Sequence, residues 1–178
     1  RTNDATTAQA AKKLFDTVNT IIDLETLSTN EIEQLIFPVG FYKNKAKFLK
    51  ELPNAIKTRF GGNIPQTIDE LIQLHGVGRK TANLVVSVAF EKPAICVDIH
   101  VHRITNRIGM VKTQTPLDTE MELRKILPEN LWKPTNAIFV PFGQFLCRPI
   151  NPRCDQCPIY EFCERNGVRQ KNKSHKNA

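Results

Sequence analysis

Two stretches of the chain hold residues whose types and spacing could do chemistry. The first is Leu74-His75-Gly76-Val77-Gly78-Arg79-Lys80-Thr81-Ala82. Two glycines in one short turn permit positive φ and let another backbone come close. A helix beginning after them offers its first N–H groups and the positive end of its dipole, a setting suited to a phosphate. Such a contact positions a nucleic acid without reading its sequence. The Gly-x-Gly pattern alone fits an ordinary corner between two helices equally well. Lys80 stands in the first turn of the second helix, where the dipole opposes an ammonium charge. A neutral amine there is a nucleophile.

The second stretch is Cys147-x6-Cys154-x2-Cys157-x5-Cys163, four of the five cysteines within 17 residues. No secretory signal pattern precedes them, so a disulfide framework fits poorly and metal ligation fits well. Four thiolates can hold zinc or a 4Fe–4S cluster. Structural zinc usually uses two short paired spacings; the uneven 6-2-5 spacing favours the cluster. Cys96, between Ile95 and Val97, reads as a small buried apolar residue. Asp98, His100 and His102 would share one face of a strand, like a two-His, one-carboxylate iron site. Val97, Val101, Ile104 and Ile108 recur at helical spacing instead, which splays the three around an axis and argues against that site.

The elements that must position these residues read as helices. Residues 4–18 are Ala-rich with Asn3 or Asp4 as cap; 30–37 follow Ser28-Thr29 and end before Pro38. Residues 42–59 are expected to be bent or split by Pro53. Thr67-Ile68-Asp69-Glu70 forms a capping box for a helix reaching Leu74. Further helices are expected from Arg79 to Phe90, from about Val97 to Gly109, from Thr115-Pro116 onward, and over 134–146 with a kink at Pro141. No useful strand alternation and no internal repeat is present. The fold class is all-α.

Composition narrows the function further. The 178 residues are 40% apolar and 24% charged, a globular balance. No apolar run approaches the ~20 residues that cross a bilayer. The net charge is +7, but five of the 25 basic residues lie in 165–178 without any acid, leaving 20 against 18 in the first 164. The segment 165–178 reads as a basic disordered tail. A nucleic acid would therefore meet a local patch, not a basic body.

Together, LHGVGRKTAN, VDIHVHRITNR, GFYKNKA at 40–46 and the 6-2-5 cysteines resemble the endonuclease III family over nearly all of residues 1–164. These are helix–hairpin–helix DNA glycosylases with an iron–sulfur lobe. The resemblance implies a six-helix barrel lobe over 1–93 and a 4Fe–4S cluster lobe over 94–164. It implies that Lys80 attacks C1′ of the damaged nucleotide and that Asp98 is the essential carboxylate, 18 residues on. Lys at this hairpin position marks the bifunctional branch, which removes the base and then cuts the strand. The metal ligands would be Cys147, Cys154, Cys157 and Cys163. Gly76, Val77, Gly78, Arg79 and Thr81 would meet DNA at the hairpin. Phe41 would be the apolar wedge that fills the gap left by a flipped base, its competing reading being a core Phe beside Tyr42. Arg148 and Arg153 would reach phosphates from the loop that the cluster fixes.

Departures are His75, where Pro is common, Arg1, where a Gln often helps fill the vacated base position, and Pro141. The family also has helices ahead of the position of Arg1. A chain starting there is expected to leave an apolar face uncovered and to be poorly stable alone. The expected partner is double-stranded DNA with a damaged base, oxidised pyrimidines by default, or an abasic site. The expected setting is a monomer in the cytoplasm at the nucleoid, or the nucleus or mitochondrion of a eukaryote. The competing functions are a monofunctional mismatch glycosylase and a non-catalytic helix–hairpin–helix DNA-binding module with structural zinc.

Overall fold

The computed structural model describes residues 2–168, and among these every regular element is helical. The contribution expected of Arg1 and most of the expected tail, 169–178, lie outside the described residues. None of the helices is long and apolar enough to cross a membrane.

The chain divides into two compact units, Arg1–Ala82 and Asn83–Ala178. The division falls inside a helix, ahead of the boundary read from the sequence at 93. In the first unit, α1 (Asp4–Thr17) is capped by Asn3, whose side chain accepts from Thr6 N. A short 3-10 turn, Ile21–Glu25, leads to α2 (Thr29–Ile36), opened by a capping box between Ser28 and Glu31. These and α3 (Tyr42–Phe60) close on a core of Leu14, Val18, Leu24, Ile32, Ile36 and Ala46.

Pro53 does not split α3, which is continuous across it. A mid-helix proline costs about 3 kcal/mol. Here Pro53 shares the buried face of the helix with Ala46 and Ile56, so packing of that face offsets the loss. The helix α4 is shorter than expected, Ile68–Leu71, with Thr67 accepting from Glu70 N. The Glu70 carboxylate meets the Thr67 hydroxyl at 2.7 Å instead of reaching its backbone N–H. After Leu71 the chain tightens: Gln73 N donates to Glu70 O and Leu74 N to Leu71 O, both at 3.1 Å.

The helix α5 (Arg79–Val88) runs from the end of the first unit into the second. The second unit continues with α6 (Ile99–Ile108), α7 (Pro116–Ile126) and α8 (Trp132–Pro141). Its core is Ile95, Val97, Val101, Val111 and Leu123, with Trp132 and Phe139 against it. The expected single segment over 134–146 is two windings. The α-helix ends at Pro141, which has no N–H to donate, and Phe142–Leu146 continues as a π-helix closed by Cys147 N on Phe142 O at 2.8 Å. The first residues of the segment read as a tail are held in place. Arg165 donates to Tyr160 O at 2.8 Å and lies over its ring, and Asn166 N donates to Arg107 O at 2.9 Å.

Candidate functional site

The hairpin between α4 and α5 is built around Gly76. Its φ is +81°, and an added Cβ would stand 2.6 Å from the Phe48 ring, so both backbone and packing demand glycine. Gly78 differs: its backbone is ordinary, and a Cβ there would meet nothing within 4 Å. Nothing in the described fold requires that second glycine. It leaves the backbone bare on the outer side of the turn, where something outside the chain could approach. Val77 is half-buried and its N–H closes the turn on Leu74 O at 3.1 Å, so that donor faces inward. Gly76, Gly78, Lys80 and Thr81 are exposed and Arg79 is half-buried, with Lys80 in the first turn of α5. His75, the departure from the family's hairpin, pairs Nδ1 with Glu51 Oε2 at 2.9 Å and meets the Phe48 ring edge-on.

Phe41 is not a core residue. It is 62% exposed and sits at the start of α3 in the left-handed region, φ +58°. A bulky residue there is strained, and such strain gathers at functional positions. Tyr42, beside it, is the half-buried aromatic, meeting Phe37 edge-on at 5.3 Å.

Asp98 lies in the second unit as the N-cap of α6. Its Oδ1 accepts from His100 N and Val101 N, both at 2.9 Å. Among the described residues Oδ2 accepts no hydrogen bond. One oxygen therefore fixes the side chain, and the capping does not engage the other. The helix splays Asp98, His100 and His102, as the periodicity predicts. His102 Nδ1 meets Thr119 Oγ1 at 2.6 Å, and His100 Nδ1 meets Arg103 Nη2 at 3.1 Å.

The four clustered cysteines are brought around one pocket, with Arg107 and Ile159 among its walls. Burial, and after it the neighbouring Cys147, Cys157 and Cys163, push the Cys154 thiol up. Thiols that repel one another's ionisation are what a metal group, which takes thiolates, would relieve. Among the described residues no three His, Cys, Asp or Glu side chains converge tightly enough for a single ion. Thiols ranged around a pocket suit the separate irons of a 4Fe–4S cluster, and the residues present fit that group. In the loop that follows Cys147, Arg148 donates from Nη2 to Asn151 O at 3.3 Å and is half-buried, while Arg153 is exposed.

Sequence reasoning missed two arginines of α6 and a buried polar network. Arg103 Nη2 donates to Cys147 O at 2.9 Å and Gly143 O at 3.2 Å, and Arg107 reaches the same loop. Their four-residue spacing puts both on one helix face, a signal present in the sequence. In the network, Asn83 Nδ2 donates to Glu120 Oε2 at 3.0 Å, Arg124 Nε donates to Glu120 Oε1 at 3.1 Å, and Arg124 Nη2 donates to Asn83 Oδ1 at 3.2 Å. Arg124 also lies over the Trp132 ring. Asn83 and Glu120 are 0% and 2% exposed. Only the Glu120–Arg124 pair, four apart, is visible as sequence.

Residues 1–129 match the family of HhH-GPD superfamily base excision DNA repair proteins, and 147–163 match the iron–sulfur binding domain of endonuclease III. Endonuclease III of Thermotoga maritima is 46% identical over 164 residues, 92% of this chain and 77% of that protein. Endonuclease III-like protein 1 of Gallus gallus is 40% identical over 92% of this chain and 59% of its own length. A solved structure of a trapped endonuclease III–DNA covalent intermediate superposes with a TM-score of 0.85 at 38% identity, covering 92% of this chain and 77% of that one.

Proposed function

From the premise that this chain belongs to the endonuclease III family, and is a base excision repair DNA glycosylase and AP lyase with a 4Fe–4S cluster, we propose that Lys80 is its nucleophile and Asp98 its catalytic carboxylate. The substrate is double-stranded DNA bearing an oxidised pyrimidine or an abasic site, and the protein works as a monomer. The observation that carries this is the exposed position of Lys80 in the first turn of α5, directly after a glycine turn whose second glycine no contact among the described residues explains.

The chemistry follows from these groups. A damaged base is reached only after leaving the stack. Phe41, exposed and held in a strained turn, enters the gap. The backbone at Gly76–Gly78, with Arg79 and Thr81, clasps a phosphate near the lesion. The Nζ lone pair of Lys80 attacks C1′, the N-glycosidic bond breaks, and the base departs with the bonding pair. Asp98 Oδ2 takes the proton whose loss from the Lys80 ammonium frees the amine for that attack, or faces the positive charge growing on the sugar. The sugar ring then opens, the C1′–O4′ bond breaking and its oxygen taking up a proton, and the resulting protonated Lys80–C1′ imine makes the C2′ proton acidic. Loss of that proton expels the 3′ oxygen by β-elimination, and water then frees the enzyme. Cys147, Cys154, Cys157 and Cys163 would hold the cluster, whose chemistry here is structural: it fixes the loop carrying Arg148 and the exposed Arg153, the latter a phosphate contact.

Borohydride reduction on duplex DNA with one abasic site tests the assignment. The expected result is a covalent protein–DNA adduct that peptide mapping places on Lys80. Lys80→Ala should bind the same DNA yet give neither adduct nor strand cleavage. An adduct on another lysine, or cleavage by Lys80→Ala, would overturn it.

A further inference from the structure

Arg107 is a buried guanidinium, 8% exposed, on the α6 face that meets the cysteine pocket. Burying a charge is costly unless it is paired or fully hydrogen-bonded. Among the described residues no carboxylate pairs with it. Its Nη1 donates to Arg148 O at 2.8 Å and to Cys147 Sγ at 3.4 Å, and its Nη2 donates to Pro149 O at 3.4 Å. The two carbonyls hold the chain just after Cys147. Of these three acceptors the sulfur is the one that carries negative charge when it ligates iron. On the main chain, Arg107 O accepts from Asn166 N at 2.9 Å and from the Cys163 thiol at 3.7 Å, so the same residue touches both ends of the cysteine set.

We propose that Arg107 sets the reduction potential of the iron–sulfur cluster through its N–H bond to the Cys147 sulfur. The proposal rests on the reading that Cys147, Cys154, Cys157 and Cys163 hold that cluster. One-electron reduction adds negative charge to the cluster and its thiolates. A buried cation donating to one of those sulfurs stabilises the reduced form more than the oxidised one. Hydrogen bonds to sulfur, net charge and burial are the levers a protein has on such a potential. Arg107 supplies the first two in a site that supplies the third. Arg103, four residues earlier, contacts the Cys147 carbonyl and not its sulfur, so it serves as an internal comparison.

The experiment is film voltammetry of the full chain, with the electrode as electron donor. Iron and sulfide content and visible absorbance are measured on the same samples. Arg107→Met keeps a long side chain but has neither charge nor donor. Arg107→Lys keeps the charge without the planar fork. With the cluster retained, the potential should move to more negative values in Arg107→Met, by less in Arg107→Lys, and least in Arg103→Lys. An unchanged potential in a cluster-loaded Arg107→Met protein overturns the inference. The unsubstituted protein, labelled with guanidino-15N arginine and reduced, gives a second readout that needs no variant to fold. Its spin-echo spectrum should show a 15N coupled to the cluster spin, and absence of that coupling also overturns the inference. Absence of iron from the unsubstituted protein, or full iron in Cys147→Ala, fails the underlying cysteine assignment instead.

Discussion

The Phe48 ring lies directly behind Gly76, so close that a Cβ on Gly76 would stand 2.6 Å from its Cδ2. The hairpin's two glycines therefore answer to different demands. Gly76→Ala meets both a left-handed backbone and an aromatic wall, for a cost of about 2–4 kcal/mol from strain and overpacking together. Gly78→Ala meets neither, and its stability should change by less than about 0.5 kcal/mol. Its new methyl would stand where a phosphate approaches, so affinity for abasic-site DNA should fall roughly tenfold, about 1.4 kcal/mol. Thermal melts and fluorescence anisotropy on the two variants separate fold from contact. Equal melting losses in both would contradict this division.

Asp98 caps α6 through Oδ1, and the chemical role proposed for it falls to Oδ2. Asn is as good an N-cap as Asp, so Asp98→Asn should keep stability within about 0.5 kcal/mol. It removes the carboxylate, and base release should fall by at least about a hundredfold, the usual scale for a lost acid–base group. Asp98→Ala also loses the bonds to His100 N and Val101 N, and should cost about 0.5–2 kcal/mol besides. Single-turnover base release alongside denaturant melts gives both quantities. Substantial activity in Asp98→Asn would assign the residue to capping alone.

What could be read before the structure was local. The start of α5 at Arg79, the helical run after Asp98 and the Pro at the first position of α7 all follow from short-range rules about caps, glycine and proline. The cysteine spacing was legible because metal ligation concentrates ligands in one stretch. The failures share a physical cause, which is that packing decides them. Pro53 breaks a helix in isolation and is tolerated where Ala46 and Ile56 share its buried face. The winding after Pro141 is π, closed by Cys147 N on Phe142 O, where the sequence shows only a proline. Arg107 and Asn83 each look like ordinary helix residues until partners 40 or so positions away reveal why they are buried.

The Asn83–Glu120–Arg124 network should be unforgiving of partial removal. Glu120 is 2% exposed and is held by an amide and a guanidinium. Glu120→Ala leaves the Arg124 charge facing a cavity, and breaking a buried pair this way costs about 3–5 kcal/mol. Glu120→Gln keeps one acceptor oxygen, enough for Asn83 or for Arg124, and turns the other into an NH2 that meets a donor. It should cost clearly less, because the Arg124 side chain retains 25% exposure and a face of Trp132. Urea unfolding of both variants checks the order. A Gln variant as unstable as the Ala variant would show that the one retained acceptor does not offset loss of the carboxylate.

Phe41 offers the opposite case, a residue whose removal should help the fold and harm the reaction. Its ring is 62% exposed, so little burial is lost with it, and its φ of +58° is one that glycine adopts freely. Phe41→Gly should therefore gain up to about 1 kcal/mol in stability by relieving the left-handed strain. A wedge matters most when a stacked base has to be moved out, and less when the base is already gone. Release of a damaged base from duplex DNA should fall more steeply in this variant than cleavage at a preformed abasic site. Comparing the two substrates under single-turnover conditions, with a melt on the same preparation, tests the assignment. Equal losses on both substrates would mean that Phe41 contributes to binding in general and does not enter the gap left by the base.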